Sequence, residues 1–356
     1  MTGPGLFELP FAQAFTAPDR VLSEGYGSRT DYMNLFRVML EAAGFDCSFA
    51  LVAGDALGFQ GTEEKWRAMP RPGTFGTLVV RAVWRSAGIP FLREETEFWL
   101  STENDYTPPE ASSNLGNAYF DPQCISFGRI AAASSEWVTR DDNYCRMDVR
   151  ENGAVDFTVR NCSYGSGVGG LRKRFTELLP EMRSRFHQKL LGALAQNATA
   201  TSELETDVEG YPFTLSLKAY AEGYAVAKDD CIRLTIDDFT GKVFGVGGER
   251  RRSPIGLNGR REVVDTYEIV FPEGYTKIDV LPKSFTIRNP RDEKDVWLKH
   301  EVSSRIVDKC LHVTVRRSVS RAKATYLGFD LHPFLHDWNR RAAAESARTI
   351  SVRKSK

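Results

Sequence analysis

Between Ile232 and Val315 the chain alternates apolar and polar residues in five short runs: Ile232–Ile236, Thr266–Phe271, Ser284–Arg288, Val296–Val302 and Leu311–Val315. Successive side chains of a strand point to opposite faces, so a period of two gives each run one apolar and one wet face. Turn signals such as Pro272-Glu273-Gly274 and Asn289-Pro290 separate the runs. This spacing commits the region to antiparallel sheet and predicts a β-sandwich. A further pair, Tyr144–Val149 and Val155–Asn161, flanks Glu151-Asn152-Gly153. It predicts a hairpin with Asn-Gly in a type I′ turn.

The first hundred residues carry a different pattern. Ser28 is a candidate N-cap with Asp31 three positions on, a variant of the capping box. Met33, Leu35, Phe36, Met39 and Leu40 recur at helical spacing, and Gly44 closes the element. Phe45–Ala53, Phe75–Val83 and Glu95–Leu100 then read as strands. Farther on, Leu171–Leu194 predicts a helix interrupted at Pro180, residues 204–224 a strand pair, and Leu327–Glu345 a closing helix. The fold class is therefore α+β. The expected division is 1–125, 126–225 and 226–356: a partial helix-and-strand core, a linking hairpin with helix and strands, and the C-terminal sandwich with its helix.

Bulk properties narrow the function. Lys plus Arg total 47 and Asp plus Glu total 47 in 356 residues, so no net field draws the chain to nucleic acid, and none is expected as a partner. The longest apolar runs, such as Phe49–Val52, fall far short of the roughly 20 residues a membrane span needs. The opening MTGPGLFELPFAQAF has neither the charged n-region nor the continuous apolar h-region of a signal peptide. Six cysteines are scattered without a CxxC pair or metal-ligand spacing, which favours buried thiols and no metal or other cofactor.

The stretch GYGSRTDYMNLFRVMLEAAGFDCSFALV, residues 25–52, resembles the core of bacterial transglutaminase-like proteins. The resemblance extends through Asp265–Tyr275 (DTYEIVFPEGY), preceded by Ser253-Pro254-Ile255, to the closing YLGFDLHPFLHDW, and covers roughly residues 20–350. It implies a truncated papain-like half-core, normally armed with a Cys-His-Asp triad. Arg29 stands at the expected cysteine, Thr77 at the histidine, and Ser101, after Trp99-Leu100, at the aspartate. The first histidine of the chain is His187, so no imidazole is available in this core to activate a nucleophile. The resemblance also implies a missing N-terminal β domain, a chain that is either a C-terminal fragment or a separate product, and a periplasmic or cell-envelope setting.

Other motifs have plainer explanations. Gly165–Gly170 satisfies GxGxxG, but the preceding strand is the second arm of an antiparallel hairpin, whereas a dinucleotide site needs a parallel βαβ unit. Asp141-Asp142 and Asp237-Asp238 lack calcium-loop spacing. Arg250–Arg252 and Arg260-Arg261 suit a charged hairpin tip. His332 and His336, four apart with Pro333 between them, have no acid at HExxH spacing. The sequence thus points to a non-catalytic transglutaminase-like protein, a binding or assembly module for an unknown protein or glycan. Two alternatives stay open: a thiol-dependent acyl transferase or peptidase, and a carbohydrate-binding module.

Overall fold

The computed structural model describes residues 16–53, 75–85, 95–101, 106–112, 117–132, 134–236, 255–257, 261–289, 292–321, 325–327, 335 and 349–355. It is α+β, with few helices and mostly antiparallel sheet. Two compact units divide it: residues 1–138 with 165–170, and residues 139–164 with 171–356.

In the first unit, helix α1 (Pro18–Glu24) precedes α2 (Arg29–Ala42). A complete capping box starts α2: the Asp31 amide donates to Ser28 Oγ at 3.2 Å, and the Ser28 amide to Asp31 Oδ2 at 2.7 Å. Burial alone would raise the Asp31 pKa, but the hydrogen bonds from Thr16 and Ser28 outweigh it and hold the carboxyl below its usual range. Strands β1 (Asp46–Ala53), β2 (Phe75–Arg85), β3 (Glu95–Leu100), β4 (Ala118–Asp121) and β5 (Ser126–Arg129) form a sheet in the order β3-β2-β1-β4-β5. Alternation sorts the side chains into two clusters. Met33, Phe36 and Leu40 of α2 pack with Leu51, Leu78 and Val80 on one face. Ala50, Val52, Val79 and Trp99 pack on the other.

In the second unit β6 (Arg140–Val149) and β7 (Val155–Tyr164) form the expected hairpin. Its turn differs from the type I′ expectation. The Gly153 amide donates to the Arg150 carbonyl at 2.9 Å. Only Gly153 has positive φ (83°) and Asn152 does not, so a three-residue loop ending in a left-handed glycine replaces the two-residue turn. Helices α3 (Gly167–Glu177), whose start at Gly167–Gly170 belongs to the first unit, and α4 (Pro180–Leu194) replace the single long helix, with proline in its tolerated place at the start of α4.

Strands β8 (Thr199–Ala200), β9 (Glu205–Asp207) and β10 (Phe213–Ala221) follow, then β11 (Val226–Lys228), β12 (Cys231–Thr235), β13 (Ile255–Leu257) and β14 (Arg261–Val270). The remainder are β15 (Lys277–Val280), β16 (Phe285–Asn289), β17 (Asp292–Val307), β18 (Cys310–Arg321), β19 (Thr325–Leu327) and β20 (Thr349–Arg353). One nine-stranded sheet runs β16-β17-β18-β14-β6-β7-β10-β8, with β9 beside β10. A four-stranded sheet runs β11-β12-β20-β15, and β13 pairs with β19.

These pairings redraw the boundary expected at residue 225 and the self-contained C-terminal sandwich. Strands β14 and β16–β18 share their sheet with the hairpin β6–β7, through a parallel pairing of β14 with β6. Residue alternation fixes the strands' faces but not which strands are neighbours, so a pairing this distant in sequence is invisible to it. The closing helix expected at Leu327–Glu345 lies outside the described residues, apart from helical, buried Leu335. His332, His336, Asp237-Asp238, Arg250–Arg252 and Arg260 lie outside them too.

Candidate functional site

Arg29 is the exposed first residue of α2, directly after its N-cap. Thr77 pairs with Val52, whose side chain belongs to the cluster on the sheet face opposite α2. Cross-strand partners share a face, so Thr77 points away from the side that carries Arg29's helix. Its neighbour Leu78 lies on the α2 side, and a one-residue register change would bring only that aliphatic chain forward. Ser101 follows Leu100, which also packs on the α2 side. Arg29 and Thr77 are therefore not placed to meet as a nucleophile and its base must.

None of the six cysteines forms a disulfide. Burial, followed by Glu41, pushes the Cys47 thiol pKa up, which makes it less nucleophilic at neutral pH. The glycine-rich link reads as close packing rather than a phosphate cradle: a Cβ on Gly169 would lie 1.8 Å from Thr107 Oγ1. Asp141 accepts from Ser163 Oγ at 2.9 Å, and Asp142 pairs with Arg140 at 3.0 Å. Among the described residues no group of three or more His, Cys, Asp or Glu side chains is placed to hold a metal. No helix there is long and apolar enough to cross a membrane.

The second unit concentrates polar chemistry where the alternation calls for apolar residues. The inner face of the nine-stranded sheet carries Phe213, Leu215, Leu217 and Ala219 from β10, and Leu311, Val313 and Val315 from β18, all buried. One row crossing this face is polar. Asn161 pairs with Asn143, Asn143 with Asp265, Asp265 with Arg317, and Arg317 with His300. At about 4.8 Å per strand the row spans roughly 19 Å.

Asn143 Nδ2 donates to Asp265 Oδ1 at 2.8 Å, and opposite charges face each other at Asp265 and Arg317. His300 is 1% exposed and stacks on Phe285, with centroids 5.0 Å apart and planes at 28°. Burial, and then the Arg317 charge, push its pKa down to about 4, so it is neutral at pH 7.

Two cavities border the row. One, of about 300 Å³, lies between α4 and the sheet, with Leu190, Ala193 and Leu194 on the helix side and Asn143, Asn161 and Asp265 among the sheet residues. The other, of about 500 Å³, opens along β16 and β17 beside Phe285, Lys299, His300 and Arg316.

The outer face of the same sheet carries a second titratable group. Tyr144 Oη donates to Glu268 Oε2 at 2.6 Å, and His312 Nδ1 lies 3.6 Å from Glu268 Oε1. Burial and then the Glu268 bond push the Tyr144 pKa up to about 12. The Tyr144 bond in turn holds the Glu268 carboxyl below its usual range, with Arg146 and His312 helping against burial. Cys310 lies two residues from His312 on the same strand, hence on the same face. No hydrogen bond joins their side chains among the described residues.

Sequence reasoning missed the row because its members belong to no motif and come from separate strands. The available signal was local: Arg317 occupies the next inward position after Leu311, Val313 and Val315, and His300 the one after Leu298. A charged or imidazole side chain in the buried phase of a strand demands compensation.

No family model and no curated protein matches the chain. Among solved structures it is similar to one from Parabacteroides distasonis ATCC 8503 described as "a putative protease", at 13% identity and a TM-score of 0.43, covering 94% of this chain and 46% of that one. The chain therefore spans about half the length of that neighbour.

Proposed function

We propose that the chain is a non-catalytic transglutaminase-like protein, a binding or assembly module for a protein or glycan of the bacterial envelope. One observation carries the reading: residues 1–186, which hold the core that the resemblance covers, contain no histidine at all. A thiol of ordinary pKa is only a few per cent ionised at neutral pH, and general-base help contributes typically ~10²–10⁴-fold. Neither a cysteine at the head of α2 nor a base within the core supplies that help.

The test is amine incorporation into a glutamine donor, together with peptide-bond cleavage, by the purified chain. No turnover above buffer is expected in either assay. The thiol-enzyme alternative has one local arrangement in its favour, Cys310 beside His312 with Glu268 at 3.6 Å. Turnover abolished by Cys47→Ala, Cys124→Ala or Cys310→Ala would overturn the proposal and identify the nucleophile.

A further inference from the structure

We propose that the cavity between α4 and the inner face of the nine-stranded sheet binds a small, neutral, amphipathic organic molecule. Its apolar body would lie against the helix, and its one polar end against the Asn161–Asn143–Asp265 segment of the row. The cavity lies wholly within the second unit, so this assignment holds whether or not the chain has thiol chemistry.

Size is the first argument. The cavity holds about 300 Å³, and a water takes about 30 Å³ of liquid. The space therefore equals about ten waters, at the small end of the roughly 300–1,000 Å³ usual for small-molecule sites. A fused-ring or branched aliphatic molecule fits, whereas a folded peptide does not.

The lining supplies the second argument. Leu190, Ala193 and Leu194 of α4 face Val159, Leu217 and Phe157 of the sheet across the space. The polar groups gather at Asn143, Asn161 and Asp265, which neighbour one another across β7, β6 and β14. Small-molecule sites share this division into extensive apolar wall and a few convergent polar groups.

Hydrogen-bond capacity is the third. The bond from Asn143 to Asp265 uses one of the two amide donors of Asn143 and orients both side chains. Among the described residues Asn161 makes no side-chain hydrogen bond, although it lines the cavity together with Leu190 and Leu194 of α4. Its donors and acceptor are therefore left to water or to a ligand in the cavity. A ligand hydroxyl, amine or amide would satisfy both.

Charge fixes the ligand class. Among the described lining residues Asp265 is the only carboxylate, and Arg317 stands opposite it in the ladder. Asp265 already accepts from Asn143, and no described cationic side chain lines the cavity, so a charged ligand would find no counter-charge set aside for it. A neutral molecule needs none.

The probe we would use is 1-aminoanthracene, a neutral fused-ring amine, titrated by fluorescence into the full purified chain. Saturable one-site binding is expected. Leu217→Trp, which fills the cavity from the sheet, should abolish it. Ala193→Phe fills it from the helix and serves if the first variant does not fold. Asn161→Leu should weaken the amine about tenfold, the loss of one buried hydrogen bond, and leave unsubstituted anthracene unchanged. The anionic 1-anilinonaphthalene-8-sulfonate should not compete.

No saturable binding, or binding indifferent to both filling variants, would overturn the site. Equal affinity for anthracene and its amine, or displacement by the sulfonate, would overturn the ligand class. Turnover in the amine-incorporation assay would refute the non-catalytic reading without touching this one.

Discussion

Replacing His300 by phenylalanine should remove a large part of the acid sensitivity of the second unit. His300 is 1% exposed and stacked on Phe285, with Arg317 opposite it. In an unfolded chain its pKa is about 6.5, and in the fold it falls to about 4. Between those values the unfolded state binds a proton that the folded state refuses, so stability falls as pH drops. Each pKa unit corresponds to about 1.4 kcal/mol, and the full shift amounts to about 3 kcal/mol. The contribution is intact above pH 6.5, has fallen by about 2 kcal/mol at pH 5, and is lost below pH 4.

Carboxylates with lowered pKa, such as Glu268 and Asp31, act in the same direction but mostly below pH 5, which leaves pH 5–7 as the informative window. Urea denaturation at pH 5, 6 and 7 measures it. The wild type should lose about 2 kcal/mol more than His300→Phe over that range, whatever their relative stability at pH 7. A stability difference that does not change with pH would refute the account of His300 as a buried neutral imidazole.

Three other outcomes are expected. Ser28→Ala removes the capping box of α2 and should cost about 1 kcal/mol, read as a lower urea midpoint for the first unit at unchanged m-value. Gly153→Ala forces a left-handed φ of 83° on a side chain whose Cβ would lie 2.2 Å from the Ala225 carbonyl oxygen. Strain of about 1–2 kcal/mol and the clash together predict a loss near 3 kcal/mol on thermal unfolding. In a tyrosinate absorbance titration, the wild-type minus Tyr144→Phe difference should show a phenol ionising near pH 12; ionisation near pH 10 would mean that the Glu268 bond is absent.

Local chemistry made much of the fold legible. Ser28 with Asp31, the apolar spacing of Met33, Phe36 and Leu40, and the alternation from Phe45 to Leu100 place α2 and β1–β3 within a residue or two, because caps and periodicities act over a few residues. Pro180 likewise divides α3 from α4. The missing histidine is a property of the sequence alone, and no tertiary arrangement of residues 1–186 can supply one.

Only the tertiary structure could bring β14 beside β6, and with that pairing the rest changes. Asn161, Asn143, Asp265, Arg317 and His300 are unremarkable singly and scattered over five strands. Strand order and register set them in one row, of which Asn161, Asn143 and Asp265 line the cavity beside α4. Register decides it because the side-chain period is two: a slip of one residue in any strand would turn its member of the row out to solvent. Pairing between distant strands is settled by which apolar faces bury together, a non-local sum that no stretch of sequence contains.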